Sequence, residues 1–154
     1  MKILLDTSVI VEIDRKNLEV INLIKKLIDN GDEIIISSIT ISEIFTGCYL
    51  REDFKKSLSE ANKILGQFQW INLDYQIAEK TAQYLAFLIT EGRIIEYQDV
   101  AIAATFKITS SDYLLTLNKN HFENLPDLKG KIYSPKEFTK IIKYNTNKSF
   151  KRLD

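Results

Sequence analysis

Three carboxylates occupy comparable places in this sequence. Asp6 ends the apolar opening of "MKILLDTSVI", Glu43 lies in "SSITISEIF" just after the run "EIIIS", and Asp99 opens "DVAIAATF". Asn118 and Asn120 follow "YLLT" in "LLTLNKNHF". Two unit charges about 4 Å apart at an effective dielectric near 20 repel by roughly 4 kcal/mol, so three gathered carboxylates need protons or a cation. Hard oxygen donors, with no histidine or thiolate among them, favour magnesium or manganese over zinc. The chemistry of such a group is hydrolysis of a phosphodiester, with the metal polarising the phosphoryl group and activating a water.

Each acid also has a local explanation. Asp6 before "TSVIV" suits a helix N-cap, accepting from amides that a helix start leaves unpaired. Glu43 stands three residues after Thr40, the spacing of a capping box. Asp99 suits a cap in the same way, but it shares helical spacing with Ile102, Ala103 and Phe106. A carboxylate on that mostly apolar stripe wants a partner, because burying it unpaired is costly. Glu96 joins the same side if the helix starts early enough; the alternative is an ordinary exposed glutamate.

These residues are placed by strand-like runs that alternate with helical patterns. The strands expected are Lys2–Leu5, Glu33–Ser37, Trp70–Leu73 and Tyr113–Thr116, with a terminal strand in "KIY". Helices fill the stretch to about Asn30. Another runs from Thr40 through "REDFKKSLSEANKILGQF". The clearest helix carries Ile77, Thr81, Tyr84, Leu85 and Leu88 on one face, with Gly92 past its end. A short helix is expected from Asp99 to about Phe106, and Pro135 sits in the first turn of a last helix. Such βα alternation implies a three-layer α/β/α sandwich around a short, mainly parallel sheet. In open sheets of this kind ligands bind beyond the carboxyl ends of the strands, where the three acids would converge.

A chain of 154 residues, 45% hydrophobic and 27% charged, is one domain of ordinary size. Residues 1–144 are expected to form it, and 145–154 to be a basic, frayed tail carrying Lys148, Lys151 and Arg152. Charges balance to zero, which excludes binding nucleic acid by net charge alone but not through a local patch. The single cysteine, Cys48, excludes a disulfide framework and a cysteine-rich zinc site, and its spacing with Ile41, Ile44 and Phe45 makes it a core thiol. No apolar run approaches the ~20 residues that span a bilayer. A cytoplasmic protein without membrane contact is expected. His121, the one histidine, has no partner visible in the sequence and reads as structural or superficial rather than as a proton donor. Tyr49, Phe54, Phe68, Trp70, Tyr84 and Phe87 read as core and dimer interface rather than as base-stacking platforms.

"ILLDTSVIV", "ISSITISEIFTG", "QDVAIAATF" and "LLTLNKNHF", in this order, resemble the PIN-domain ribonucleases, and among them the VapC toxins of prokaryotic toxin–antitoxin pairs. The resemblance runs from Lys2 to about Ser134. It implies a magnesium- or manganese-dependent endoribonuclease acting on RNA, a homodimer, and an antitoxin whose segment reaches the active cleft. Asp6 and Asp99 would be the main metal ligands, Glu43 would join them through metal or water, and Ser8 would orient Asp6. The family commonly carries further acids after the last strand, often preceded by arginine; this chain has Leu117, Asn118, Asn120 and His121 there. Asn118 presents an oxygen without charge, so a weaker metal site is expected, with Glu96 as a compensating acid.

Other classes fit less well. A haloacid-dehalogenase phosphatase needs a second acid where Ser8 stands, and a receiver domain needs paired acids and a late lysine that are not evident. A nucleotide-binding domain needs a glycine-rich loop, which is lacking. Two readings remain beside the toxin: a PIN fold that binds RNA or protein without cutting, and a housekeeping RNA-processing nuclease.

Overall fold

Alternation of side chains along the strands divides the molecule into two cores. In the computed structural model, residues 1–150 are described, with side chains through residue 142. Strand β1 (Lys2–Leu5) sends Ile3 and Leu5 to one face and Leu4 to the other. Strand β2 (Glu33–Ser37) does the same with Ile34 and Ile36 against Ile35. Strands β3 (Gln69–Ile71), β4 (Tyr113–Leu115) and β5 (Ile132–Tyr133) complete a parallel sheet of order β3-β2-β1-β4-β5. Strands buried on both faces read as continuous apolar runs, as "KILL" and "EIII" do.

One face is covered by α1 (Thr7–Asp14), α2 (Leu18–Asp29), α4 (Phe54–Leu65) and α8 (Pro135–Phe150), through Val9, Ile10, Leu23, Leu27, Ile64, Leu65 and Phe138. Helix α3 (Ser38–Tyr49) adds Ile41, Ile44 and Phe45 at the margin of this core. The opposite face is covered by α5 (Tyr75–Thr90), α6 (Tyr97–Ile108) and the short α7 (Lys119–Phe122). This is the expected three-layer sandwich. From β1 the chain builds outward through β2 and β3, then returns to place β4 on the other side of β1. A crevice therefore opens between β1 and β4 at the carboxyl edge of the sheet, the topological switch point where ligands bind in such folds.

Several local expectations are corrected. The helical stretch after β2 is two helices: the chain turns at Leu50–Asp53, and α3 and α4 pack against each other, which one straight rod could not do. Helix α3 starts at Ser38, and the Ser37 hydroxyl caps it by accepting from the Ile39 amide at 3.2 Å. Thr40 is thus inside the helix, fully buried and with no partner for its hydroxyl among the described residues, so no capping box joins it to Glu43. The third strand starts one residue earlier than expected and ends two residues earlier, at Ile71. Tyr49, Phe54 and Trp70 are exposed rather than core, and the first two stack on each other with ring centroids 6.0 Å apart.

Other expectations hold. Cys48 is a buried thiol, its pKa pushed up by burial. Pro135 opens α8 behind a reciprocal cap in which the Ser134 amide donates to Glu137 Oε2 at 2.8 Å. Helix α8 extends through Phe150, so the expected tail over 145–154 begins within it; side chains from residue 143 onward, and residues 151–154 altogether, lie outside the described residues. No described helix is long and apolar enough to cross a membrane.

Candidate active site

Asp6 leaves β1 where the backbone must turn into α1, and it does two things there. As N-cap it accepts from the Ser8 amide at 3.3 Å, while the Ser8 hydroxyl donates to the same oxygen, Oδ2, at 2.6 Å. The Thr116 hydroxyl, from the residue after β4, also donates to Asp6 Oδ2, at 2.8 Å. Ser8 Oγ in turn accepts the Leu117 amide at 2.9 Å, and Thr116 Oγ1 accepts that of Asn118, also at 2.9 Å. The ends of β1 and β4 are laced together through one carboxylate that is only 2% exposed. Capping therefore does not exhaust the role of Asp6, because the Thr116 hydroxyl reaches it from the end of β4, far outside the first helical turn.

Glu43 faces the same crevice from α3 and accepts a hydrogen bond from the Thr7 hydroxyl. Burial pushes its carboxyl above the usual range; the Thr7 bond opposes this, and the nearby charges of Asp6, Asp99 and Glu96 reinforce it. Asp99 does not cap its helix. Helix α6 begins at Tyr97, with Glu96 at the N-cap position and no side-chain cap bond, so Asp99 sits within the first turn near the positive end of the helix. Its carboxyl is also raised, first by burial and further by Asp6 and Glu96, while the bond to His121 pulls it down. His121 has the partner its sequence context concealed: its Nδ1 lies 2.7 Å from Asp99 Oδ2.

The result is an open cleft of about 380 Å³ lined by Asp6, Ser8, Glu43, Glu96, Asp99, Asn118 and His121, with Thr7, Glu12 and Arg15 at its edge. Every residue singled out in the sequence reaches it except Asn120. Thr7 and Thr116 were missed, although their hydroxyls hold two of the acids; the signal was a hydroxyl residue next to each strand end, in "LLDTS" and "LLTLN". A larger groove of about 500 Å³ between α2 and α8 mixes Lys26, Lys136 and Lys140 with Glu12, Glu19 and apolar residues, and none of Asp6, Glu43 and Asp99 lines it.

Among the described residues, no lysine or arginine forms an ion pair with Asp6, Glu43, Glu96 or Asp99. An all-oxygen set of acids, in which the charges of Asp6 and Glu96 push up the carboxyls of Glu43 and Asp99 and no lysine or arginine pairs with them, fits a hard divalent cation. As they stand, no three His, Cys, Asp or Glu side chains among the described residues are drawn together as a ready-made metal cage. Asp6, Glu43 and Asp99 are instead turned to hydroxyl or imidazole donors.

The family model of the PIN domain matches residues 3–128. The chain belongs to the PIN-domain family. This PIN domain is similar to Ribonuclease VapC19 of Mycobacterium tuberculosis (strain H37Rv), with 30% identity over 125 residues, covering 81% of this chain and 95% of the relative. Among solved structures it is similar to FitAcB from Neisseria gonorrhoeae, at 30% identity and a TM-score of 0.71, covering 86% and 97% of the two chains. VapBC2 from Rickettsia felis, solved with a DNA fragment from their promoter, shares the fold, with a TM-score of 0.78 at 23% identity over 87% of this chain and 98% of that one.

Proposed function

We propose that this PIN domain is a VapC-like endoribonuclease, the toxin of a toxin–antitoxin pair, that hydrolyses RNA phosphodiester bonds with magnesium or manganese. The observation that carries this reading is the meeting of Asp6, Glu43 and Asp99, from three distant parts of the chain, around one cleft at the switch point of the sheet. Asp6 and Asp99 would hold the ion, with Glu43 joining directly or through water. The ion supplies a Lewis acid for the phosphoryl oxygen and lowers the pKa of an attacking water.

The chain's own residues do the rest. Ser8 and Thr116 hold Asp6 in one orientation, so its free oxygen is presented to the cleft at little entropic cost. Thr7 holds Glu43 facing the cleft, where its carboxylate would take a proton from the attacking water. Arg15, exposed at the cleft edge and 3.1 Å from Glu12, is placed to meet an RNA phosphate. The reading implies a cytoplasmic enzyme, a homodimer, and an antitoxin reaching the cleft. The exposed Ile89, Ile94 and Tyr97, around the α5–α6 corner, support self-association.

The test is cleavage of RNA by the purified protein with magnesium or manganese, then with a chelator, beside Asp6→Asn and Asp99→Asn. Cleavage that needs the ion and disappears in both variants is expected. Activity surviving both substitutions would move the site elsewhere. No cleavage of any RNA would favour the binding-only reading, for which the neutral Asn118 in the cleft is the supporting observation. A monomeric mass by light scattering would remove the homodimer. A small reading frame abutting this one, whose product abolishes cleavage on co-expression, would supply the antitoxin; its absence would favour a housekeeping nuclease.

A further inference from the structure

The fourth corner of the cleft is where this chain departs from the pattern its resemblance implies, offering Asn118, Asn120 and His121 in place of acids. The fold sorts the three. Asn120 is exposed and does not line the cleft, whereas Asn118 and His121 do. His121 is set in position by its neighbour Phe122, whose ring is fully buried beneath α7 in the second core. Its imidazole stands about half exposed, with Nδ1 directed at Asp99 Oδ2 at 2.7 Å. Among the described residues it makes no other side-chain hydrogen bond.

We propose that His121 is a nitrogen ligand of the metal centre, paired with Asp99, and that it makes this centre prefer a first-row transition ion such as manganese or cobalt over magnesium. The inference rests on reading the cleft as a divalent-metal site. Geometry supports it: adjacent donors on an ion with bonds of ~2.1 Å lie about 3 Å apart, close to the separation Nδ1 and Oδ2 already have. Chemistry supplies the preference. Magnesium keeps oxygen ligands and water, whereas imidazole affinity rises along the transition series, so exchanging an acid for a histidine removes charge that magnesium needs and adds a donor that the later ions favour.

The experiment titrates metal-free full-length protein with magnesium and with manganese, and records electron spin-echo modulation of the bound manganese. Wild type is expected to show a directly coordinated nitrogen that is lost in His121→Ala and His121→Asp. The manganese-to-magnesium affinity ratio should fall about tenfold in His121→Asp. Because the imidazole is exposed, neither variant should threaten the fold, and the nitrogen signal in wild type needs no variant at all. If manganese binds, is lost in Asp6→Asn and Asp99→Asn, yet shows no coordinated nitrogen and an unchanged ratio in His121→Asp, the ligand role is overturned while the metal site stands. If neither ion binds the wild type, both fall together.

Discussion

At the scale of single residues, the cleft stores unfavourable charge. Burial and like charges hold the Glu43 carboxyl above its ordinary value. A carboxyl raised in the folded state contributes stability that is full below its unfolded pKa of about 4.3 and lost as pH rises through the folded value. In chelator, Glu43→Gln should therefore raise Tm at pH 7, by about 1–2 °C after solvent screening, and the gain should vanish as pH falls toward 4. A Tm unchanged across that range would mean the charge is not felt. Thr116→Val keeps shape but strips Asp6 of a donor and leaves the Asn118 amide unpaired, so a loss of about 1–2 kcal/mol in denaturant unfolding is expected. RNA cleavage should drop roughly tenfold or more. Asp6 was legible in the sequence because an acid ending an apolar strand is conspicuous, Asp99 because it sits on an apolar helical stripe, and Glu43 from its place in the helix after β2. Thr7, Thr116 and the His121 contact were not, because hydroxyls are common at strand ends and His121 meets a residue far away in the chain.

At the scale of elements, boundaries are set by caps that compete closely. Ser37, three residues before the expected start, captures the first turn of α3, and that choice dissolves the pairing of Thr40 with Glu43. Periodicity identified the elements, but it could not say which of several hydroxyl residues would cap, nor that Leu50–Asp53 would turn the chain back. The end of α5 was plainer. Gly92 adopts φ +65°, and the Gly92 and Arg93 amides close the helix onto Ile89 and Leu88 carbonyls at 3.1 and 2.9 Å. Glycine takes that conformation without the strain an alanine Cβ would add, so Gly92→Ala should lower Tm by about 2–4 °C. Since the segment after it leads to Glu96 and Asp99, metal affinity should weaken in the same variant. An unshifted melting curve would show that the turn relaxes freely.

At the scale of the whole molecule, the parallel sheet and its two cores followed from the strand runs, whereas the order β3-β2-β1-β4-β5 had to come from packing. An ion that binds only the folded chain stabilises it by about 2.7 kcal/mol at a hundredfold excess over Kd. Saturating manganese should raise the Tm of wild type by about 5–10 °C and leave that of Asp6→Asn near its metal-free value. An equal rise in both proteins would place the ion outside the cleft.

The lacing of Asp6 to Thr116 carries a consequence in time. These partners are 110 positions apart, so the Asp6 carboxylate is made long before β4 docks beside β1 and orients it. Through the whole interval between the two strands, a ribosome carries the proposed centre in an unassembled state. On the proposed reading RNA is safe from it until β4 has been made, and sheet order alone provides that delay.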